Sequence, residues 1–169
     1  CASCCSPNGW WYARNDVIQH DQNYCPERGS FFSMKFDSLL NSIEKKLSSG
    51  VSQKEGLQFI CQLLFNRIDH YDWVGYYLHN AEKKELVLKA YVGKPTDHTH
   101  IPFGKGICGQ VALSNQNFIV DDVNAQDNYI ACSLDVKSEI VIPLFVSENN
   151  IGQIDIDSNR LQAFSKKDA

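Results

Sequence analysis

Two cysteines and three carboxylates between Gly104 and Asp157 are the residues of this 169-residue chain best suited to chemistry. The thiols are Cys108 and Cys132; the acids are Glu139, Asp155 and Asp157. The acids lie in or beside apolar, strand-like runs, Ser138-Glu139-Ile140-Val141-Ile142-Pro143-Leu144 and Ile151-Gly152-Gln153-Ile154-Asp155-Ile156-Asp157. A carboxylate in such a setting is costly unless it is paired, hydrogen-bonded or used. A sulfur nucleophile beside a cluster of acids points to thiol redox chemistry on a small, charged substrate.

Each of these features also has a plainer reading. Gly104-Lys105-Gly106-Ile107-Cys108-Gly109 has the spacing of a dinucleotide-binding loop, but residues 99–103 do not form the buried strand that such a loop follows. The stretch reads instead as a tight turn into a short helix over 109–114, with Cys108 in the turn. There the helix N-terminus would favour a thiolate. A lone loop cysteine such as Cys132 is more often incidental; two beside an acid cluster bring the readings level. Asp155 and Asp157 share a strand face, which suits a cationic ligand, a shared proton or a solvated strand end. Trp73 and Tyr77 share a face as well, as core or as a pocket wall. His98 and His100 alternate and could share a face on extended chain, yet a surface loop explains them equally. With no third ligand evident, no metal is expected, and Cys1-x-x-Cys4 without a second pair is a weak signal.

The elements that must position these residues follow from periodicity. Apolar residues Phe36, Leu39, Leu40, Ile43 and Leu47 mark a helix over 36–48. Ser52 and Glu55 form a capping box for a second helix, whose buried stripe is Leu57, Ile60, Cys61, Leu64 and Ile68; Cys61 is then a small core residue. Residues 73–78 and 85–92 read as a hairpin, 93–105 as a polar loop, and 117–121 as a brief strand. Residues 122–137 read as loop, 139–146 and 151–157 as a second hairpin around a turn at 147–150, and 163–169 as the start of a truncated C-terminal helix. This order predicts an α+β domain: an antiparallel sheet with helices packed on one face and a ligand pocket under loops on the other.

Length and composition set bounds. The chain suits one domain, its net charge of −4 argues against a general grip on nucleic acid, and no apolar run is long enough to span a bilayer. Three cysteines beyond residue 33, one of them on a helix, make a disulfide framework improbable and point to a reducing, cytoplasmic compartment. Residues 1–33 lack leucine and hold four of the seven cysteines. They read as a non-native or disordered extension, with translation starting at Met34 and a single domain over 34–169.

The chain resembles the GAF-domain family of free methionine-(R)-sulfoxide reductases from Met34 to about Asp168. The resemblance is carried by Trp73-Val74-Gly75-Tyr76-Tyr77-Leu78, Gly93-Lys94-Pro95, Ile101-Pro102-Phe103 leading into the Gly104–Gly109 turn, Ile130-Ala131-Cys132, and the two acid-bearing runs. It implies that Cys132 is the attacking thiolate and becomes a sulfenic acid. It further implies that Glu139 and Asp157 surround the sulfoxide oxygen, that Asp155 meets the substrate ammonium, and that Trp73 and Tyr77 wall the thioether. No bound cofactor is implied, only an external dithiol such as thioredoxin. The oligomeric state is open, a homodimer included. One departure stands out: the family's third cysteine is absent from Thr96-Asp97-His98-Thr99-His100. Resolution then falls to Cys108 or an external thiol. The alternative is a non-catalytic GAF module for small-molecule binding or redox sensing.

Overall fold

The computed structural model describes residues 30–126 and 135–169. Its elements in chain order are α1 (Ser30–Leu47), α2 (Gln53–Arg67), β1 (Trp73–Asn80), β2 (Glu85–Val92), β3 (His100–Pro102), α3 (Gly106–Ser114), β4 (Phe118–Val120), a 3-10 turn (Val123–Ala125), β5 (Ser138–Val146) and β6 (Asn149–Ser158). The six strands form one antiparallel sheet in the order β3-β2-β1-β6-β5-β4. The two long hairpins therefore meet at the sheet centre, where β1 pairs with β6.

Local chemistry accounts for the element boundaries. Ser52 Oγ accepts from the Glu55 amide at 3.3 Å and the Ser52 amide donates to Glu55 Oε2 at 2.9 Å, which closes the expected capping box of α2. Helix α1 begins at Ser30 rather than 36, because no glycine or proline interrupts residues 30–35. Leu40 and Leu47, expected on its buried stripe, are exposed instead; Leu39 is the residue that reaches the core. The β5–β6 connection is tighter than the four-residue turn predicted. Ser147 and Glu148 both take positive φ, 46° and 68°, so two residues reverse the chain and Asn149 pairs with Val146. Residues 163–169 turn rather than forming a helix, and Phe164 packs against Tyr71 and His70 at ring distances of 5.7 and 5.9 Å.

Strand alternation sorts the core into two layers. Val74, Tyr76, Ile140, Ile154 and Ile156 pack beneath α1 and α2 with Leu39, Cys61, Ile68 and Phe164. Trp73, Tyr77, Leu86 and Val141 face the opposite way, against Ile107, Cys108, Val111 and Ala112 of α3. The excursion after β2 thus covers its face with more than loop. It contributes β3, a three-residue edge strand containing Pro102 that periodicity could not reveal, and α3, which starts three residues earlier than predicted.

Candidate active site

The acids are set by register. Asp157 lies opposite Trp73 on β1 and Glu139 on β5; Asp155 lies opposite Gly75 and Val141. Alternation then turns Glu139, Asp155 and Asp157 to the α3 side of the sheet, together with Trp73 and Tyr77. All three are buried, at 5%, 1% and 2% exposure. That burial excludes the solvated strand end as an explanation for Asp155 and Asp157.

Trp73 is held flat against the sheet by the absence of side chains. A Cβ on Gly75 would stand 2.1 Å from the indole Cη2, and one on Gly93, where φ is +131°, would stand 2.5 Å from its Cδ1. The indole stacks on Tyr91 at 5.7 Å and 19° and donates its N–H to the Lys94 carbonyl at 3.1 Å. Tyr77 is fully buried, and its hydroxyl donates to the His98 carbonyl at 2.9 Å. It anchors the 93–99 segment over the sheet.

Cys108 lies within the first turn of α3, not in the turn before it. Its Sγ donates to Asp155 Oδ2 at 3.2 Å and is buried. Where the helix N-terminus alone would favour a thiolate, the structure sets the sulfur against a buried carboxyl group.

The electrostatics follow from crowding. Burial pushes Glu139 well above the ordinary carboxyl range, and repulsion from Asp155 and Asp157 adds to it. Burial also raises Asp157, with repulsion from Asp155 and Asp72. Asp155 rises to about 7, chiefly by burial, while hydrogen bonds from Cys108 and Glu139 oppose the rise. Among the described residues no cation pairs with the three acids, so burial and crowding shift all of them toward the protonated form. The set offers both proton donors and, once ionised, a seat for a cation.

Two small cavities open on this layer. One, about 40 Å³, is lined by Asp72, Trp73, Lys94, Thr96, Val136, Asp157 and Asn159. The other, about 20 Å³, is lined by His98, Ile101, Lys105, Gly106, Ile107, Cys108, Glu139 and Asp155. Tyr77 is not among the lining residues of either. His98 and His100 do not share a face: His98 lines the smaller cavity, while His100 is exposed on β3. Asp72, which accepts from the Asn159 amide at 2.7 Å, was not singled out by sequence reasoning. Nor was Gln153, fully buried on the same face of β6, with neither amide atom partnered among the described residues. A polar residue two before Asp155 in an apolar strand was the available signal. Cys132 lies outside the described residues.

Comparison with known proteins adds four findings. A family model described as GAF domain matches residues 51–169. GAF domain-containing protein A of Dictyostelium discoideum is 37% identical over 134 residues, 79% of this chain and 83% of that protein. Free methionine-R-sulfoxide reductase of Escherichia coli is 40% identical over 106 residues, 63% of this chain and 62% of that protein. Among solved structures, free methionine-R-sulfoxide reductase from Neisseria meningitidis, in complex with its substrate, is 36% identical with a TM-score of 0.74, covering 79% of each chain.

Proposed function

Because this chain belongs to the GAF domain family and reductases of free methionine-R-sulfoxide are among its relatives, we propose that it reduces free L-methionine-(R)-S-oxide to L-methionine. The observation that carries the reading is the convergence of Glu139, Asp155 and Asp157 with Trp73 on one buried layer of the sheet. Burial alone would exclude three such acids from an apolar layer unless they had work there.

Their chemistry suits a sulfoxide. A carboxyl that keeps its proton at neutral pH can protonate the sulfoxide oxygen and make its sulfur electrophilic. Glu139 and Asp157 take that role, and Asp155 meets the substrate ammonium. Trp73 walls the thioether, and Tyr77 holds the covering segment through its bond to His98. Cys132 attacks the sulfoxide sulfur. The oxygen passes to the cysteine, which becomes a sulfenic acid while the substrate leaves as thioether. Two thiols then reduce the sulfenic acid to thiol, forming one disulfide and one water. An external dithiol such as thioredoxin supplies both, or Cys108 condenses with the sulfenic acid to give one water and a Cys108–Cys132 disulfide that the dithiol then reduces, in a reducing, cytoplasmic setting; the reading is compatible with a monomer or a homodimer. Among the described residues no helix is long and apolar enough to cross a membrane.

The test is incubation with dithiothreitol and racemic free methionine sulfoxide, followed by chiral resolution. Consumption of the R epimer alone, about half the substrate, with loss of that activity in Cys132→Ser, is the expected result. Binding of the sulfoxide without methionine formation would establish a sensing module in place of the enzyme.

A further inference from the structure

Cys108, Glu139 and Asp155 come from three separate elements, α3, β5 and β6, and all three are buried. The Cys108 Sγ and one carboxylate oxygen from each acid lie within 4.8 Å of one another. Ligand atoms in a tetrahedral zinc shell stand roughly 3–4 Å apart. Side-chain rotations alone can therefore bring this set to coordinating distance.

Two further observations point to a ligand. Asp155 Oδ1 is buried and has no hydrogen-bond partner among the described residues, on a residue that lines the smaller cavity. An orphaned carboxylate oxygen in that setting is a strong electrostatic demand for a donor or a cation. The cavity itself, about 20 Å³, has room for one water-sized species. His98 is among the residues that line it.

We propose that Cys108, Glu139 and Asp155 form a three-ligand zinc site, with solvent in the fourth position, and that zinc there blocks the reductase. The donor set selects the metal: two carboxylates alone would suit magnesium or calcium, but a thiolate beside them favours zinc. Binding is not a redox step. Zinc forms bonds to Cys108 Sγ and to one oxygen each of Glu139 and Asp155, the thiol proton and the carboxyl protons are released to solvent, and the Sγ–H···Oδ2 bond to Asp155 is exchanged for metal coordination. Lys105, at the rim, is exposed and free to swing its ammonium into solvent. Metal binding is independent of the proposed activity; only the blocking rests on it, because zinc and substrate would draw on Glu139 and Asp155 at once.

The test uses the full chain, reduced with a phosphine, stripped with a chelator and titrated with zinc. Cys108→Ser and Asp155→Asn should each bind one equivalent less than wild type. Asp155→Asn keeps all seven cysteines, so its loss separates this site from thiols elsewhere. Zinc should raise the thermal midpoint of wild type but not of Asp155→Asn, and a cobalt adduct should show a thiolate charge-transfer component that Cys108→Ser lacks. Glu139→Gln serves as a third variant should either of the others misfold by circular dichroism. Equal zinc stoichiometry in wild type and the folded variants would overturn the site. With the same phosphine as reductant, methionine formation should stop on adding zinc and resume on chelation. Uptake of the equivalent by a protein that makes no methionine when metal-free would uphold the site and end the reductase reading; undiminished turnover with the equivalent bound would overturn the blocking.

Discussion

Asp155→Asn should stabilise the metal-free protein in neutral solution and flatten its pH profile. Asp155 is 1% exposed, and burial lifts its carboxyl from an ordinary 3.8 to about 7. Between those values the folded protein keeps a proton that the unfolded chain has lost. Stability from this group is therefore fully present below about pH 4 and is lost as pH rises toward 7. Each pH unit in the window is worth about 1.4 kcal/mol, so the whole window is worth about 4 kcal/mol and the part above pH 5 about 3 kcal/mol. Asparagine removes the ionisation yet keeps an oxygen that can accept from the Cys108 thiol. It also relieves Glu139 and Asp157, both raised in part by Asp155, so the flattening is only enlarged. In urea titrations with chelator and reductant present, the two proteins should lie within about 1 kcal/mol at pH 5. At pH 8 the variant should have gained about 2–3 kcal/mol on wild type. Parallel profiles, with the same difference at both pH values, would refute the claim that Asp155 is forced to hold its proton by burial.

Two other substitutions probe the same layer. Gly75→Ala places a methyl 2.1 Å from the Trp73 ring; displacing the indole should cost about 1–3 kcal/mol in denaturant titration and weaken methionine sulfoxide binding by calorimetry. Unchanged stability and binding would mean that the ring is not pinned where it lies. Gln153→Leu should stabilise the fold by about 1–2 kcal/mol, seen as a higher thermal midpoint, because it removes a buried amide with no partner on either atom. A lower midpoint would show that the amide is satisfied within the fold.

Much of the molecule could be read from pattern alone. The capping box at Ser52, the burial of Cys61 and the limits of β2 follow from short-range chemistry and period, which act wherever the chain goes. Strand period two was enough to put Asp155 with Asp157, and Trp73 with Tyr77, on common faces. The approach of Glu139 to Asp157, and of Cys108 to Asp155, depends instead on which strands become neighbours and on where α3 lies. Neither is encoded in local spacing. Burial likewise belongs to the assembled layers: the same two aspartates would be solvated acids at a free strand end and are proton-holding acids beneath α3. His98 and His100 show the converse, an alternation that promised a shared face until β3 began at His100 and left only His98 turned toward the cavity. Residue types and periods thus determined which groups were available for chemistry. Tertiary packing decided which of them meet and which lose their water, because strand adjacency and desolvation arise only when distant segments close on one another.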